Sequence, residues 1–509
     1  MQAARLLPRG LMPIGLMMRT AHARAASASD NSRDARHAGE FQHARVLWQY
    51  NEVDAADQLL CRILDEQPAH VDAANFRAKL LQSQGRLDAA GATLEKLCSH
   101  ASLDAAATLR CVQFVRQCQR QGLAARLCEQ AFARGIRSAD LHALSGLVYR
   151  ELGQFAEARD QFDQALRAGV DLNAWFVLGA RTATQRYRDA SHPDFERLHA
   201  HFHDANYPAR ARAASGFGLA KAYDDIGDYA RATATLRSAN ACARIAQPWR
   251  REDWVGRVDA CVERERARAR GAPIAVTTNG LAPIFVVGLP RSGTTLAAMQ
   301  LARHADIRVR GELPHIPFIA ARLAALGRTA DAAALEEAAS LYAAHIVQDD
   351  APARSYVDCN QMNFRHLDLI AQLFPHARIV HCVRERRDVA LSQWSQFFAH
   401  DDCAFANDFA DIAAFCDGHD RLMRHWSRHL DLPIHTVVYE DLIADPARIR
   451  AGLEQFVGAR ACAPEADPEP SKISITSSSL WQARQPIHAS SMGRWKKYAP
   501  YLPELAALS

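Results

Sequence analysis

The chain has little net charge, no closely spaced cysteines and no long apolar run. Its 61 basic residues nearly balance 57 acidic ones, which leaves a net charge of +4 over 509 residues. So small an excess argues against a nucleic-acid partner or a membrane-surface role, and any basic function must be local. The twelve cysteines stand singly, without a C-x-x-C pair, which favours reduced, buried thiols over metal sites or a disulfide framework. No apolar run reaches the roughly 18 residues of a membrane span.

Length and composition indicate a globular protein of more than one domain. The chain is 49% hydrophobic and 23% charged, as is usual for soluble proteins. A length of 509 residues exceeds what one hydrophobic core ordinarily organises, so we expect two domains, or a solenoid followed by a domain.

Acidic residues are missing from the first 29 positions, which contain Arg5, Arg9, Arg19 and Arg24. This composition is typical of an organellar presequence or a weak secretory signal. Pro13 and Gly15 interrupt the apolar stretch, so a disordered tail, or a true start at Met17 or Met18, explains it equally well. We assign residues 1–34 to a disordered or targeting-like tail. Heavy use of Ala and Arg is typical of a GC-rich bacterial genome and favours the cytoplasm, while the tail leaves import or export open.

One pattern recurs through the first half of the chain: a small turn residue, an apolar residue two positions later and Ala five positions later. It occurs at Asn51, Gly85, Gly153 and Gly227. The first two are 34 residues apart, the third is two such periods further on, and Gly122 lies near the missing step. Because 34 residues is the period of the tetratricopeptide helix–turn–helix unit, we predict an α-helical tetratricopeptide-like solenoid over residues 35–262. An irregular helical bundle is the alternative.

A solenoid presents a long concave surface, which usually binds a protein or peptide partner. It can instead pack on the second domain or mediate self-association, including a homodimer. Residues 183–208 interrupt the period and predict an insertion or a distorted repeat. The charged run Glu263–Arg270 and the Gly- and Pro-containing residues after it predict a linker over 263–282.

The second half opens with an anion-binding pattern. The β-branched and aromatic run Ile284–Val287 predicts a buried strand, and Gly288 and Gly293 predict a turn into a helix. Backbone N–H groups and the positive end of a helix dipole then converge on one point. The spacing matches the phosphate loop G-x-x-x-x-G-K-[ST], but Thr294 replaces the lysine and the nearest cation is Arg291. We therefore expect a phosphate-like ligand but not an ordinary nucleotide triphosphatase.

Further along, short apolar strands alternate with helices. This alternation predicts an α/β, P-loop-type domain with a parallel sheet covered by helices on both faces. Its ligand would lie beyond the carboxyl ends of the strands. The predicted strands are 355–358, 378–383 and 434–439, and the predicted helices are 329–347, 364–374 and 408–430.

The segment Gly288-Leu-Pro-Arg-Ser-Gly-Thr-Thr-Leu296 resembles the 5′-phosphosulfate loop of sulfotransferases that use 3′-phosphoadenosine 5′-phosphosulfate (PAPS). Within that family it looks most like the tyrosylprotein sulfotransferases and their bacterial relatives fused to tetratricopeptide repeats. The resemblance implies a sulfotransferase fold over residues 283–509, PAPS as cofactor and no metal. It also implies that the 5′-phosphosulfate is held by Arg291, Ser292, Gly293, Thr294 and Thr295.

Three later motifs extend the resemblance. Gly311-Glu-Leu-Pro314 implies that Glu312 is the catalytic base, because the acceptor must lose a proton as it attacks sulfur. Arg384 and Ser392, eight residues apart, match the family's 3′-phosphate site, where a permanently charged fork donor suits a dianion. Tyr439 matches a tyrosine near the cofactor, although it could equally be a half-buried core residue.

The last segment resembles the family's cofactor clamp. Ser479 falls where a serine stabilises the transition state, and Arg494 falls where a basic residue meets the 3′-phosphate. Gln482 and Pro486 keep the family's spacing to Trp495. We count Ser479, Gln482 and Arg494 among the cofactor-binding residues, and we interpret Trp481 and Trp495 as core packing.

One position departs from the family. A lysine after the aspartate normally meets the bridging oxygen of the transferred group, but here Cys359 follows Asp358. A fixed cation there is typically worth about 3–4 kcal/mol, and a cysteine cannot supply it. Three readings follow: a sulfotransferase that is slow or has a rearranged site, an inactive PAPS-binding scaffold acting through its repeats, and a P-loop kinase that uses Asp358 for magnesium. The acceptor could be protein tyrosine, a sugar, a lipid or a small metabolite.

Overall fold

The computed structural model describes residues 28–268, 280–329, 331–459 and 491–508. The chain divides into two compact units. The first comprises residues up to Arg137 together with Ser340–Pro352, and the second comprises Ser138–Ala339 together with residues from Ala353 onward. The domain limits expected from the sequence remain predictions. No helix within the described ranges combines the length and apolar character needed to cross a bilayer.

The described part of the first half is helical, as the repeat pattern predicts. Its helices are α1 (Ala28–Gln49), α2 (Val53–Glu66), α3 (Val71–Ser83), α4 (Leu87–His100), α5 (Ala105–Gln117), α6 (Gln121–Ala133), α7 (Ala139–Leu152), α8 (Phe155–Arg167), α9 (Leu172–Trp175), α10 (Val177–Thr182), α11 (Pro193–His203), α12 (Ala209–Asp225), α13 (Tyr229–Ala246) and α14 (Arg251–Arg268).

Helical hairpins pack in sequence within the first unit. Helices α1 and α2, α3 and α4, and α5 and α6 lie against each other. Fully buried Leu60 and Ile63 of α2 lie in one apolar cluster with Ala73 of α3. Phe76 lies edge-on to Trp48, with ring centroids 5.5 Å apart. Each hairpin thus covers the apolar face of the next, as the repeat period requires.

The turns correct one prediction of the repeat register. Asn51, Gly85, Gln119 and Gly153 all adopt left-handed backbone conformations, with φ of 64°, 73°, 59° and 80°. They are spaced by 34 residues throughout. Gly122, which lies near the missing step but three residues late, is inside α6, and Gln119 forms the turn instead. Glutamine accepts the left-handed region at some cost, so this turn carries no glycine signal.

The irregular stretch 183–208 contains a buried polar network. Arg181 donates from Nε to Asp163 Oδ1 at 2.9 Å and also pairs with Asp194. The Tyr187 hydroxyl donates to Asp194 Oδ2 at 2.6 Å. The Tyr187 backbone N–H donates to Asp225 Oδ2 at 3.0 Å. The charged residues of this stretch therefore pair with one another and with neighbouring helices, whether the stretch is an insertion or a distorted repeat.

The second half forms one parallel sheet among the described residues, in the order β2-β3-β1-β4-β5. This confirms the predicted fold class, a helical repeat region followed by a parallel α/β domain. The strands are β1 (Ile284–Gly288), β2 (Ile307–Val309), β3 (Ser355–Asp358), β4 (Arg378–Val383) and β5 (Ile434–Val438). The helices are α15 (Thr294–Leu301), α16 (His315–Ala325), α17 (Ala332–Val347), α18 (Leu367–Leu373), α19 (Arg386–Trp394), α20 (Phe409–His429), α21 (Tyr439–Ala444), α22 (Pro446–Val457) and α23 (Trp495–Tyr498).

Three local predictions need correction. The helix expected over 364–374 begins as a 3₁₀ turn at Gln361–His366, before α18. The strand expected over 434–439 ends at Val438, since Tyr439 opens α21. Strand β2 was missed because it is only three residues long, Ile307–Val309.

Both faces of the sheet are covered, as the apolar strands require. On one face, Ile284 and Val286 pack in a cluster with Ala297 of α15 and Leu453 of α22. Toward α20, the Trp426 indole N–H donates to Phe364 O at 2.9 Å. This packing holds the strand ends at one rigid edge.

Candidate functional site

The five strands end at the same edge of the sheet, because all of them are parallel. In α/β proteins this carboxyl edge is where ligands bind. The residues that follow the strands there are the loop 289–293 after β1, Glu312 after β2, Cys359 after β3, Arg384 after β4 and Tyr439 after β5.

The loop after β1 forms an anion-binding turn. Arg291 and Gly293 have left-handed φ values of 74° and 102°, which direct the chain into α15 at Thr294. Gly293 occupies the N-cap position and has no side chain to cap the helix. The loop is fixed from outside by Gln393, whose Nε2 donates to Pro290 O at 2.8 Å. The start of the helix can therefore receive an anion on its backbone N–H groups.

Gly293 is also required by its neighbour. A Cβ atom at this position would lie 2.6 Å from Tyr439 Cδ2. The Tyr439 ring, at the end of β5, therefore packs directly against the loop. Thr294 and Ser292 are buried, and Ser292 Oγ has no hydrogen-bond partner among the described residues. A buried, unsatisfied hydroxyl at an anion loop is a ready donor for a ligand.

Two residues assigned to opposite ends of the cofactor meet directly. Arg291 donates from Nε to Ser392 Oγ on α19 at 2.9 Å. Arg384 donates from Nη1 to the Arg291 carbonyl at 3.1 Å, and its guanidinium lies 4.4 Å from the centre of the Tyr439 ring. Strands β1, β4 and β5 therefore bring Arg291, Ser392, Arg384 and Tyr439 into one contiguous site.

The electrostatics of this site favour an anion. Burial, together with the positive charges of Arg384 and Arg494, lowers the pKa of Arg291 to about 10. Three guanidinium groups crowded together repel one another in a poorly hydrated place. A dianion would relieve both the repulsion and the lost hydration.

The last described segment is tied to the same place. Ser491 Oγ and the Tyr439 hydroxyl are 2.7 Å apart, and the Ser491 carbonyl accepts from Arg384 Nη2 at 2.5 Å. The carboxylate of Asp388 accepts from the backbone N–H groups of Gly493 at 2.6 Å and Trp495 at 3.0 Å. These bonds fix the backbone on both sides of Arg494, whose positive charge acts on Arg291 of the loop.

Sequence reasoning missed Asp388, which is 3% exposed. In the first turn of a helix, an aspartate usually indicates a solvated residue favoured by the helix dipole, and its partners lie more than a hundred residues away. Ser479 and Gln482, with Trp481 and Pro486, lie outside the described residues. Trp495, interpreted as core packing, lies with its ring centre 3.8 Å from the Arg387 guanidinium.

The other end of the edge carries Glu312. Strand pairing continues past β2, since Arg310 N donates to Val357 O at 2.8 Å and Cys359 N donates to Gly311 O at 2.9 Å. Gly311 has a left-handed φ of 70°, which turns the chain immediately before the carboxylate. The backbone therefore fixes Glu312 next to the end of β3.

Asp358 stabilises this turn through hydrogen bonds. Its Oδ1 accepts from the backbone N–H groups of Leu313 at 3.2 Å and Asn360 at 2.9 Å, and Oδ2 accepts from Asn363 Nδ2 at 3.0 Å. The side chain is fully buried. Asp358 therefore acts as a structural anchor for the Glu312 turn.

Glu312 is poised to exchange a proton near neutral pH. Burial and the Asp358 charge, opposed by a hydrogen bond from Gln361, together raise the pKa of Glu312 to about 7. A carboxyl with a pKa near the working pH is well matched to general base catalysis. Gln361 was not singled out from the sequence.

Cys359 brings no positive charge to the site. Burial, with smaller contributions from Glu312 and Asp358, raises the pKa of the Cys359 thiol well above its usual range, so the group is neutral. Arg365, six residues further along the chain, does not supply the missing charge either, since its Nε donates to Met362 O at 3.3 Å and its Nη1 lies 3.5 Å from Asp402 Oδ1. Across the described ranges, no three His, Cys, Asp or Glu side chains gather as a metal site would require.

Fold and site together define an α/β domain with an anion-binding loop, joined to helical repeats. Residues 283–461 match the model of the sulfotransferase family. Residues 139–168 match a model of the tetratricopeptide repeat. The two matched regions are thus similar to the sulfotransferase family and to the tetratricopeptide repeat, the two families that the motifs resemble.

Two curated proteins are similar in sequence. An uncharacterized protein of Aquifex aeolicus (strain VF5) is 30% identical over 319 residues, covering 58% of this chain and 41% of that protein. Protein-tyrosine sulfotransferase 1 of Danio rerio is 33% identical over 202 residues, covering 34% of this chain and 52% of that protein. The matched regions thus span about half or less of these relatives. Among solved structures, the sulfotransferase domain of the Synechococcus PCC 7002 olefin synthase has a TM-score of 0.27 at 18% identity, covering 44% of this chain and 98% of that one.

Proposed function

We propose that this chain transfers a sulfuryl group from PAPS to a hydroxyl or amine acceptor, with Glu312 as the base. The observation that carries the proposal is that Arg291, in the loop before α15, is close enough to Arg384 and Arg494 for both of their positive charges to act on it. A cluster of like charges at a helix N-terminus is unfavourable alone and is stabilised by a multiply charged anion.

The residues present fit such a nucleotide. Two features support binding of a compact anionic group at the loop: the Ser292 hydroxyl, which has no partner among the described residues, and the lack of a side chain at Gly293. The 5′-phosphosulfate would be held by Arg291, Ser292, Gly293, Thr294 and Thr295. The 3′-phosphate would be held by Arg384, Ser392 and Arg494, with Tyr439 alongside and with Ser479 and Gln482 from the segment outside the described residues. When bound, PAPS supplies the sulfuryl group.

The chain's own side chains divide the work. Glu312, ionised above about pH 7, accepts the proton that the acceptor hydroxyl or amine releases. Arg291 offers positive charge where negative charge accumulates on the phosphate side, which is the usual source of the largest catalytic effect. Because Cys359 is neutral, this contribution rests on Arg291 and on the N–H groups of the loop.

The acceptor belongs to the proposal as well. Repeats of this kind generally bind proteins, so we favour a macromolecular acceptor or partner brought to the domain by the solenoid. The cytoplasm remains the proposed compartment.

The main alternative is a scaffold that binds PAPS without transferring the sulfuryl group, and Cys359 is the observation that favours it. Transfer of label from radioactive PAPS, measured with the natural chain and with Cys359→Lys, separates the two. Labelled product from either protein supports the transferase. No label from either, tested against protein, sugar and small-molecule acceptors, would count against an enzyme.

A P-loop kinase is a weaker alternative, since both Asp358 oxygens already accept internal hydrogen bonds. Calorimetry distinguishes it: we expect adenosine 3′,5′-bisphosphate to bind without metal. Tighter binding of ATP, strengthened by magnesium, would favour the kinase.

A further inference from the structure

A carboxylate from the repeat region reaches the proposed 3′-phosphate site. Asp224 lies in the last turn of α12. Its Oδ1 is 3.0 Å from Arg494 Nη2 and accepts a hydrogen bond of 2.5 Å from the Tyr498 hydroxyl. Both partners belong to the C-terminal segment that Asp388 ties to α19. A residue of the helical repeats therefore contacts a guanidinium that helps form the arginine cluster.

Asp224 is itself held firmly. The next residue, Asp225, accepts from Lys221 Nζ at 2.6 Å and from the Tyr187 backbone N–H at 3.0 Å. These bonds join the end of α12 to the buried network of the distorted repeat. On the other side of the turn, Tyr229 lies with its ring centre 5.2 Å from that of Tyr498. These contacts fix the end of α12 that carries the Asp224 carboxylate.

Arg494 needs such support. It immediately precedes α23, a single turn of four residues, and its positive charge acts on Arg291 together with that of Arg384. Without a counter-charge, repulsion would favour rotamers that carry its long side chain into solvent. Asp224 offsets that repulsion, and the Tyr498 ring lies 5.2 Å from the guanidinium carbon. Among the described residues only Nη2 of Arg494 has a partner, so its donors on Nε and Nη1 can bind a second anion.

We propose that Asp224 is a positioning residue for the cofactor: it holds Arg494 against the arginine cluster, so that repeat helix α12 completes the 3′-phosphate site. This inference rests on the proposed function. It predicts that recognition of the 3′-phosphate depends on the repeats, whereas recognition of the 5′ end does not.

The test compares two nucleotides on the full-length protein by calorimetry. Adenosine 3′,5′-bisphosphate carries the 3′-phosphate and adenosine 5′-monophosphate lacks it. For Asp224→Asn we expect binding of the bisphosphate to weaken by about tenfold, which is typical for loss of a charge-assisted contact, and binding of the monophosphate to change by less than about twofold. Tyr498→Phe, a milder change that keeps the ring, should weaken bisphosphate binding by about two- to fourfold.

Glu504→Gln is the matched control. Glu504 pairs with Arg237 of α13 at 2.7 and 3.1 Å, so it also joins the repeats to the C-terminal segment but does not touch the arginine cluster. We expect it to leave both affinities unchanged. Equal weakening of both nucleotides, or the same loss in Glu504→Gln, would reduce Asp224 to a docking contact and overturn the proposal. Tighter bisphosphate binding by Asp224→Asn would show competition instead and overturn it too.

The experiment distinguishes failure of the proposed function from failure of the role proposed for Asp224. If the natural protein does not prefer the bisphosphate to the monophosphate, the proposed function fails and this inference fails with it. If the natural protein shows that preference and Asp224→Asn keeps it, only the role of Asp224 is wrong. Should Asp224→Asn not fold, the selectivity of Tyr498→Phe decides: unchanged selectivity rejects the role.

Discussion

The two ends of the sheet edge hold opposite kinds of charge. Around β1, β4 and β5, three arginines gather where burial and mutual repulsion lower the pKa of Arg291 to about 10. After β2 and β3, two carboxylates lie together, and burial with the Asp358 charge raises the pKa of Glu312 to about 7. In each case burial and like charges shift a group toward its neutral form.

The two clusters differ in how the repulsion between their buried like charges can be reduced. An arginine with a pKa of about 10 stays charged at neutral pH, so the repulsion at the arginine end is relieved by negative counter-charges such as Asp224 or a bound anion, and not by titration. Glu312 can gain or lose its proton, so the carboxylate end relieves itself by titration. One end is therefore suited to hold a nucleotide and the other to exchange a proton, and the two functions should separate experimentally.

The largest separation is expected from Glu312→Gln. The transfer rate should fall by about 100- to 10,000-fold, as for loss of a general base, while affinity for adenosine 3′,5′-bisphosphate stays unchanged. In the natural protein the rate should rise with pH through about 7, because Glu312 accepts a proton only when ionised. Rates from pH 6 to 9 check this, with the exposed Glu336→Gln of α17 as control. If the rate of Glu312→Gln still rises with pH through about 7, another group is the base.

Arg291→Gln should damage both functions. We expect the rate to fall by about 100- to 1000-fold and the bisphosphate to lose most of its stabilising effect on thermal unfolding, since stabilisation by a ligand follows its affinity. Melting curves with and without the bisphosphate measure this. Arg448→Gln, an exposed arginine on α22, should behave like the natural protein. Unchanged ligand stabilisation in Arg291→Gln would mean that the anion binds elsewhere.

Cys359→Lys tests whether the carboxylate end lacks a cation. A lysine beside Glu312 and Asp358 should increase the transfer rate by about 10- to 100-fold. It should also move the rate limb below pH 7, because a neighbouring positive charge lowers the pKa of a carboxyl. Cys359→Ser, which adds no charge, should change neither quantity by much. If lysine and serine variants have equal rates, Arg291 already supplies the charge that matters.

Sequence patterns predicted the parts of this molecule that local chemistry specifies. The apolar run Ile284–Val287 and the glycines after it indicate a strand and a loop without knowledge of any partner. The 34-residue period likewise identifies the repeats. The pattern failed at Gln119, because a left-handed glutamine has no compositional signal, and at β2, where three residues give no periodicity to detect.

The supporting residues could not be predicted for a different reason. Asp388 and Asp224 have ordinary surface identities in the sequence, and their partners follow 105 and about 270 residues later. Only the folded arrangement of α12, α19 and the C-terminal segment brings them together. The roles assigned to Arg384, Ser392 and Arg494 come from motif resemblance and remain predictions until a nucleotide is observed on them.

The smallest expected effect concerns a third cluster, which lies in the interior of β4. His381 Nε2 and His419 Nε2 are 3.3 Å apart, and His419 Nδ1 is 2.8 Å from Asp420 Oδ1. Burial and the His419 charge lower the pKa of His381 to about 3, against the opposing influence of Asp420. The ordinary pKa of an unfolded histidine is about 6.5. Protonation therefore favours the unfolded chain, and stability that is complete above pH 6.5 is lost as the pH falls from 6.5 toward 3.

This cluster should affect stability and leave nucleotide binding alone. One pH unit below 6.5, the linkage amounts to about 1.4 kcal/mol, or about 2 °C in melting temperature for a unit of this size. Between pH 7.5 and 5.5, we expect the free energy of unfolding to fall by about 1.4 kcal/mol less in His381→Asn than in the natural protein. The other buried histidines titrate in both proteins, so their contribution cancels. Bisphosphate affinity at pH 7.5 should be the same for both, because the cluster lies within the strand and not at its end. A loss of affinity there would extend the functional edge into the sheet interior and weaken the division between a binding end and a proton-exchanging end.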